Sequence, residues 1–135
     1  MNHNFINRIV ELTNAQRQSS GLPKLEFNPV LAAAAQKHST DMALEDFFNH
    51  QSQNGSSPSQ RAQAEGYPSA FVGENIAVGN STPEGTFQQW MNSEGHRKNI
   101  LNSDYQEIGV GYYFLANDTG NVNYNHYWTQ CFGRP

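Results

Sequence analysis

Three residues in this chain combine a side chain able to bind a metal or transfer a proton with neighbours that would hold it in place, and the first of them is His96. It lies in the segment 93–101, SEGHRKNIL. If Ser93 caps a helix, His96 is the third helical residue, close to free backbone N–H groups and to the positive end of the helix dipole. That field disfavours the imidazolium form, and a neutral imidazole suits a metal ligand or a general base. The alternative is a first-turn histidine that only packs.

Glu74 and His50 complete the set. In an extended segment Glu74 shares a face with the apolar Ile76, where a carboxylate is costly unless it is paired or ligated. The alternative is an edge-strand glutamate that faces water. His50 follows Phe47 and Phe48 at the end of a predicted helix and could face a cleft, or it could interact with the helix dipole as an imidazolium. The three residues are far apart in sequence, so only a fold can bring them together.

Other chemistry has little support in the sequence. There is no HExxH motif, phosphate-binding glycine loop or GxSxG elbow. His38 shares a helical face with Leu31 and Met42, which is typical of a buried core histidine. Cys131 is the single cysteine, so it forms no internal disulfide. Its position beside Phe132 in a strand predicts a buried, inert thiol.

The elements that must position these residues follow from hydrophobic spacing and cap residues. Helices precede strands without βαβ alternation, so the fold class is α+β with an antiparallel sheet. The predicted elements are a helix through Phe5 and Leu12 ending before Gly21, a helix capped by Asn28 and running through Met42, a short helix over 61–65, a strand over 71–78, a helix capped by Thr82, a helix from Ser93 to Asn102, and paired strands over 108–116 and 123–132.

Composition bounds the class of protein. The 135 residues are expected to form one domain, 1–135, with 36% apolar residues and a net charge of -4. This charge gives no basic field for nucleic acid, and no apolar run is long enough to span a membrane. The first residues, Met1 to Asn4, lack the basic region and apolar core of a signal peptide, so the protein is either cytosolic or a signal has been removed.

Taken together, these segments resemble the CAP superfamily (cysteine-rich secretory proteins, antigen 5 and pathogenesis-related 1), in particular its bacterial SCP-like branch. The resemblance covers nearly the whole chain, and many short motifs occur in the same order. The segments that carry it include 14–17 (NAQR) with 21–25 (GLPKL), 31–35 (LAAAA), 47–50 (FFNH), 73–77 (GENIA), 90–101 (WMNSEGHRKNIL), 107–111 (EIGVG) and 128–133 (WTQCFG).

The resemblance implies an α-β-α sandwich, with helical layers on both sides of a small antiparallel sheet and a large cleft. In many eukaryotic members two His and two Glu line that cleft and can hold a divalent metal, usually zinc. His50, Glu74 and His96 match three of these positions, and Ser93 stands at the fourth. Glu94 is one residue further on, but two residues apart on a helix Glu94 and His96 point away from each other. We therefore expect a His/Glu/His metal site with water or Ser93 as the fourth group.

Three functions compete. The first is a secreted or envelope-associated binding module, expected as a monomer, whose cleft holds a metal and an extended ligand such as peptide, lipid or glycan. The second is a zinc-assisted hydrolase or peptidase in which Glu74 is the general base and His50 and His96 hold the metal. The third is a non-catalytic extracellular scaffold. The extracellular location comes from the resemblance, and fold-level likeness does not choose among the three functions.

Overall fold

A computed structural model describes residues 2–135; of the N-terminal stretch Met1 to Asn4, Met1 lies outside the described residues. Within the described part, none of the helices has the length and apolar content needed to cross a lipid bilayer. The helices are α1 (His3–Ser19), α2 (Pro29–Leu44), α3 (Pro58–Ala64), α4 (Pro83–Met91) and α5 (Glu94–Ile100), and the strands are β1 (Glu26–Phe27), β2 (Val72–Val78), β3 (Glu107–Phe114) and β4 (His126–Gly133).

Cap residues explain where the helices begin. The Asn28 side chain accepts hydrogen bonds from the first turn of α2, as predicted, and Thr82 caps α4 in the same way. Helix α3 starts three residues before the predicted position because Ser57 and Gln60 form a reciprocal capping box, which the sequence analysis did not predict. Ser93 occupies the N-cap position of α5 as expected, yet its side chain makes no capping hydrogen bond.

The sheet confirms the α+β class and adds a parallel edge. Its strand order is β1-β3-β4-β2, and β4 pairs antiparallel with both β3 and β2. Strand β1 pairs parallel with β3, so the sheet is mixed rather than purely antiparallel. With two residues, β1 is too short to show the alternation by which strands are recognised. Strand β2 lies at the opposite edge and carries Glu74 directly across from Cys131.

Helices cover both faces of the sheet. On one face α2 lies directly against β3, because a Cβ added at Gly111 would come within 2.5 Å of the Ala35 carbonyl carbon. On the other face Trp90 and Trp128 are fully buried in a core with residues of α1 and α5. Helix α5 lies along the free edge of β2, where the Asn99 amide donates to the Glu74 carbonyl oxygen at 3.3 Å. The helical layers and the sheet agree with the sandwich that the resemblance implied.

Candidate functional site

Glu74 is the centre of a buried charge cluster. Its side chain is only 1% exposed, and both carboxylate oxygens have partners. Oε1 lies 2.9 Å from His50 Nδ1, and Oε2 accepts a 2.6 Å hydrogen bond from Arg61 Nη2. A carboxylate this deeply buried is tolerated only when it is paired and hydrogen-bonded. The alternative of a glutamate facing water is therefore wrong.

His50 is the part of the cluster that solvent reaches. Its side chain is 51% exposed, and the bond from Nδ1 to Glu74 fixes the orientation of the ring. In the neutral ring with the proton on Nδ1, Nε2 presents a lone pair, and it has no hydrogen-bond partner within residues 2–135. His50 can therefore accept a proton or a hydrogen bond from a ligand, while Glu74 acts only through it.

Arg61 is a site residue that the sequence analysis did not select. Its side chain is 6% exposed and makes four hydrogen bonds. Besides the bond to Glu74, its Nη1 donates to the carbonyl oxygens of His50 and Ser56 and to the hydroxyl of Ser52. A planar guanidinium suits this task because it donates in several fixed directions at once. Arg61 thus fixes both the carboxylate and the loop that carries His50.

His38 supports the same loop from α2. It is fully buried, as predicted for a core histidine, and its Nε2 lies 2.7 Å from the Asn49 carbonyl oxygen. Burial lowers the pKa of His38, so the ring is neutral near pH 7 and Nε2 donates. The same nitrogen lies 3.9 Å from Glu74 Oε1. The carbonyl oxygens of Asn49 and His50 are therefore held by His38 and Arg61, which lie on two different helices.

His96 approaches from the other side of the edge strand. Its backbone carbonyl accepts a 3.1 Å hydrogen bond from the Asn75 side chain, which ties α5 to β2. Burial lowers the pKa of His96, and the charge of His50 lowers it further. The direction agrees with the neutral ring expected from the sequence, but the causes are burial and His50 rather than the helix dipole. The backbone of His96 is bonded to Asn75, the residue that follows Glu74, and Glu74 in turn bonds His50.

Ser93 and Glu94 occupy different environments. Ser93 is partly buried at the start of α5, next to the turn that carries His96. The Glu94 side chain is 72% exposed and pairs with Lys98 at 3.2 Å, one helical turn away. The Glu94 carboxylate is therefore turned to solvent and takes no part in the charge cluster.

The donor set does not fit a zinc site in this arrangement. Among residues 2–135, no group of three or more His, Cys, Asp or Glu side chains is placed to hold a metal ion. Both oxygens of Glu74 already accept hydrogen bonds, from His50 and Arg61. A zinc ion bound to either oxygen, at about 2.0–2.2 Å, would lie close to the positively charged Arg61 guanidinium, which opposes its binding. The His50/Glu74/His96 metal site stays a prediction that these contacts do not favour.

Cys131 gives the site no nucleophile. Its thiol is buried, with Sγ 3.9 Å from Glu74 Oε2. Burial, and secondly the neighbouring carboxylate, raise the pKa of this thiol well above its usual range. Because the thiolate is the reactive form, such a cysteine is inert. The predicted burial of Cys131 is confirmed.

Comparison with known proteins decides the family. The sequence model of CAP, the cysteine-rich secretory protein family, matches residues 10–132. The chain belongs to the CAP family. It is 44% identical over 125 residues to YkwD, an uncharacterized protein of Bacillus subtilis, a match that covers 93% of this chain and 45% of YkwD. This CAP chain therefore spans less than half the length of that relative.

Solved structures share the fold. An extracellular protein of Bacillus anthracis that contains an SCP domain is 34% identical, with a TM-score of 0.85 over 98% of this chain and 41% of its own. An outer surface protein of Borrelia burgdorferi is 20% identical, with a TM-score of 0.80 over 93% of this chain and 89% of its own. At that identity the second likeness supports the fold alone.

Proposed function

We propose that this CAP domain is an extracellular or envelope-associated binding module that recognises a polar, extended ligand through His50 and His96. The observation that carries the proposal is the exposed imidazole of His50 standing on the buried Glu74–Arg61 pair. Burying two charges costs stability unless they are paired, and replacing such a pair with apolar residues often stabilises a protein. A cluster of this kind is therefore better explained by its effect on His50 than by its effect on the fold.

The surroundings of His50 favour a ligand with hydroxyl and amide groups. A cavity of about 430 Å³ is lined by residues that flank His50 in the sequence, namely Phe47, Phe48, Asn49, Gln51, Ser52, Gln53 and Gly55. Amides and hydroxyls form most of this lining, and Phe48 adds an aromatic surface that is partly exposed. Aromatic faces with a few placed polar groups are a common way to bind a small polar ligand. Among the expected ligands, cell-wall glycan with its attached peptide fits better than lipid.

Location and organisation follow the same proposal. The B. anthracis protein, 34% identical to this chain, is an extracellular protein with an SCP domain. We place this CAP domain outside the cytoplasm on that likeness. We also propose that residues 1–135 form one monomeric domain.

The hydrolase alternative needs a different candidate for the general base. Glu74 was its candidate base, but a side chain 1% exposed with both oxygens bonded cannot reach a substrate. If this domain transfers a proton, His50 is the group that does so. The scaffold alternative predicts that no ligand depends on His50 or His96.

The test is binding of soluble peptidoglycan fragments in zinc-free buffer, followed by NMR and by calorimetry. We expect shifts in the imidazole signals of His50 and His96, and a loss of affinity of at least tenfold in His50→Ala and in His96→Ala. His3→Ala, in the first turn of α1, is the matched control and should bind normally. Binding that persists unchanged in both cleft variants would remove the proposal, as would binding only to lipid vesicles or to free peptides. No binding in any form would favour the scaffold.

A further inference from the structure

We infer that Arg61 takes the place of a divalent cation as the counter-charge of Glu74, so that the face formed by His50 and His96 meets its ligand without a metal. The inference rests on the proposed function for the identity of that face. The evidence that Arg61 replaces a cation comes from the contacts of Arg61 and does not depend on the proposed ligand. Nη2 of Arg61 is 2.6 Å from Oε2 of Glu74, a short, charge-assisted hydrogen bond in a nearly closed environment.

A metal and Arg61 would compete for the same carboxylate. The Glu74 oxygen that does not contact Arg61 is Oε1, and this oxygen is 2.9 Å from His50 Nδ1. Oε1 keeps a second lone pair, but a zinc ion bound to it would lie within a few ångströms of the guanidinium. Two cations that close repel each other strongly where water is excluded. The carboxylate can satisfy one cation, and in this structure it satisfies Arg61.

Arg61 is not free to move aside for a metal. Its Nη1 donates to the His50 carbonyl at 2.7 Å, to Ser52 Oγ at 2.9 Å and to the Ser56 carbonyl at 3.0 Å. Turning the guanidinium away from Glu74 would break this set and leave a buried charge without its partner, which is strongly unfavourable. The loop that carries His50 would lose its anchor in the same step.

The fourth position of the site strengthens the inference. The resemblance assigns this position to Ser93, a neutral residue, where a carboxylate would add the negative charge that attracts a cation. The nearest acidic residue in sequence, Glu94, is 72% exposed and pairs with Lys98. With Glu74 neutralised by Arg61, the donors left for a metal are the two imidazoles of His50 and His96. Structural and catalytic zinc sites use at least three protein ligands.

The experiment is a zinc titration of untagged protein at pH 7.5, read by calorimetry and by the zinc content that remains after dialysis. The proteins are the wild type, Arg61→Gln, and the double variant Arg61→Gln with Glu74→Gln. Arg8→Gln is the matched control, because Arg8 also pairs with a glutamate, Glu84 at 2.8 Å, but on the surface. We expect no saturable zinc binding in the wild type or in Arg8→Gln. Arg61→Gln should bind zinc saturably, at least tenfold more tightly than any weak association seen with the wild type, and the double variant should lose this binding.

Two results would overturn the inference. One is stoichiometric zinc binding by the wild type that His50→Ala abolishes. The other is an Arg61→Gln protein that is folded by circular dichroism yet binds zinc no better than the wild type. If Arg61→Gln does not fold, the wild-type titration with its His50→Ala control decides alone: His50-dependent zinc overturns the inference, and its absence supports it. Failure of peptidoglycan binding in zinc-free buffer would remove the proposed function and leave this result standing.

Discussion

Replacing Glu74 with glutamine tests the buried charge cluster directly. The substitution keeps the shape of the side chain and removes its charge, so Arg61, which is 6% exposed, becomes an unpaired cation inside the protein. Removing one partner of a buried pair costs about 3–5 kcal/mol. Here Arg61 keeps its three bonds from Nη1, and the glutamine oxygen can still accept one bond, so we expect about 3 kcal/mol. That is a large share of the roughly 5–15 kcal/mol by which a domain is stable.

The assay is equilibrium unfolding in urea, with tryptophan fluorescence as the signal. Glu94→Gln is the control, since that glutamate is 72% exposed in a surface pair with Lys98 and should change the free energy of unfolding by less than about 1 kcal/mol. Adding Arg61→Met to Glu74→Gln removes the orphaned charge and should recover more than half of the loss. A Glu74→Gln protein within about 1 kcal/mol of the wild type, by this measurement, would refute the claim that the pair is buried and coupled.

Three further predictions concern the fold around the site. Gly111→Ala should lower the free energy of unfolding by about 1–3 kcal/mol, because the new methyl group meets the backbone of α2; Gly95→Ala, which meets nothing within 4 Å, should not. Burial lowers the pKa of His38, so the contribution of its neutral ring to the free energy of unfolding should be fully present above the unfolded pKa near 6.5. Below that pH the free energy of unfolding should fall by up to about 1.4 kcal/mol per pH unit. Urea titrations at pH 5–8 should show a smaller decline in His38→Gln. Cys131 should react with a thiol reagent only after unfolding, so rapid labelling of the native protein would contradict its burial.

The sequence predicted those parts of the fold that depend on local chemistry. Asn28 caps α2 because a short polar side chain in an extended residue can accept from the next turn, and that geometry needs no tertiary contact. Strands β3 and β4 were predicted from their runs of apolar residues, although β3 ends earlier and β4 starts later than predicted. The parallel pairing of β1 was not visible, because it depends on where Glu26 and Phe27 meet β3 in space.

The site was predictable in part for the same reason. His50, Glu74 and His96 could be proposed because each is a residue type with few roles, placed among apolar or cap-forming neighbours. Arg61 could not, because its partners come from two separate parts of the chain, the loop over 50–56 and strand β2, and its own neighbours mark only a short helix. The resemblance to CAP proteins supplied the grouping of the three residues but not the cation that neutralises Glu74.

The placement of the cluster argues for a role in recognition. Glu74 lies on β2, the edge strand, where one face of the sheet is covered by α2 and the strand's free edge by α5. His50, in the loop after α2, and the backbone of His96, in α5, both bond to residues of this edge strand. An ion pair buried deeper in the sheet would have the same unfavourable desolvation free energy, but it would not support a group exposed to solvent. Because the cost is taken at a position that leaves the His50 imidazole accessible, the cluster supports the proposed binding face rather than a purely structural bridge.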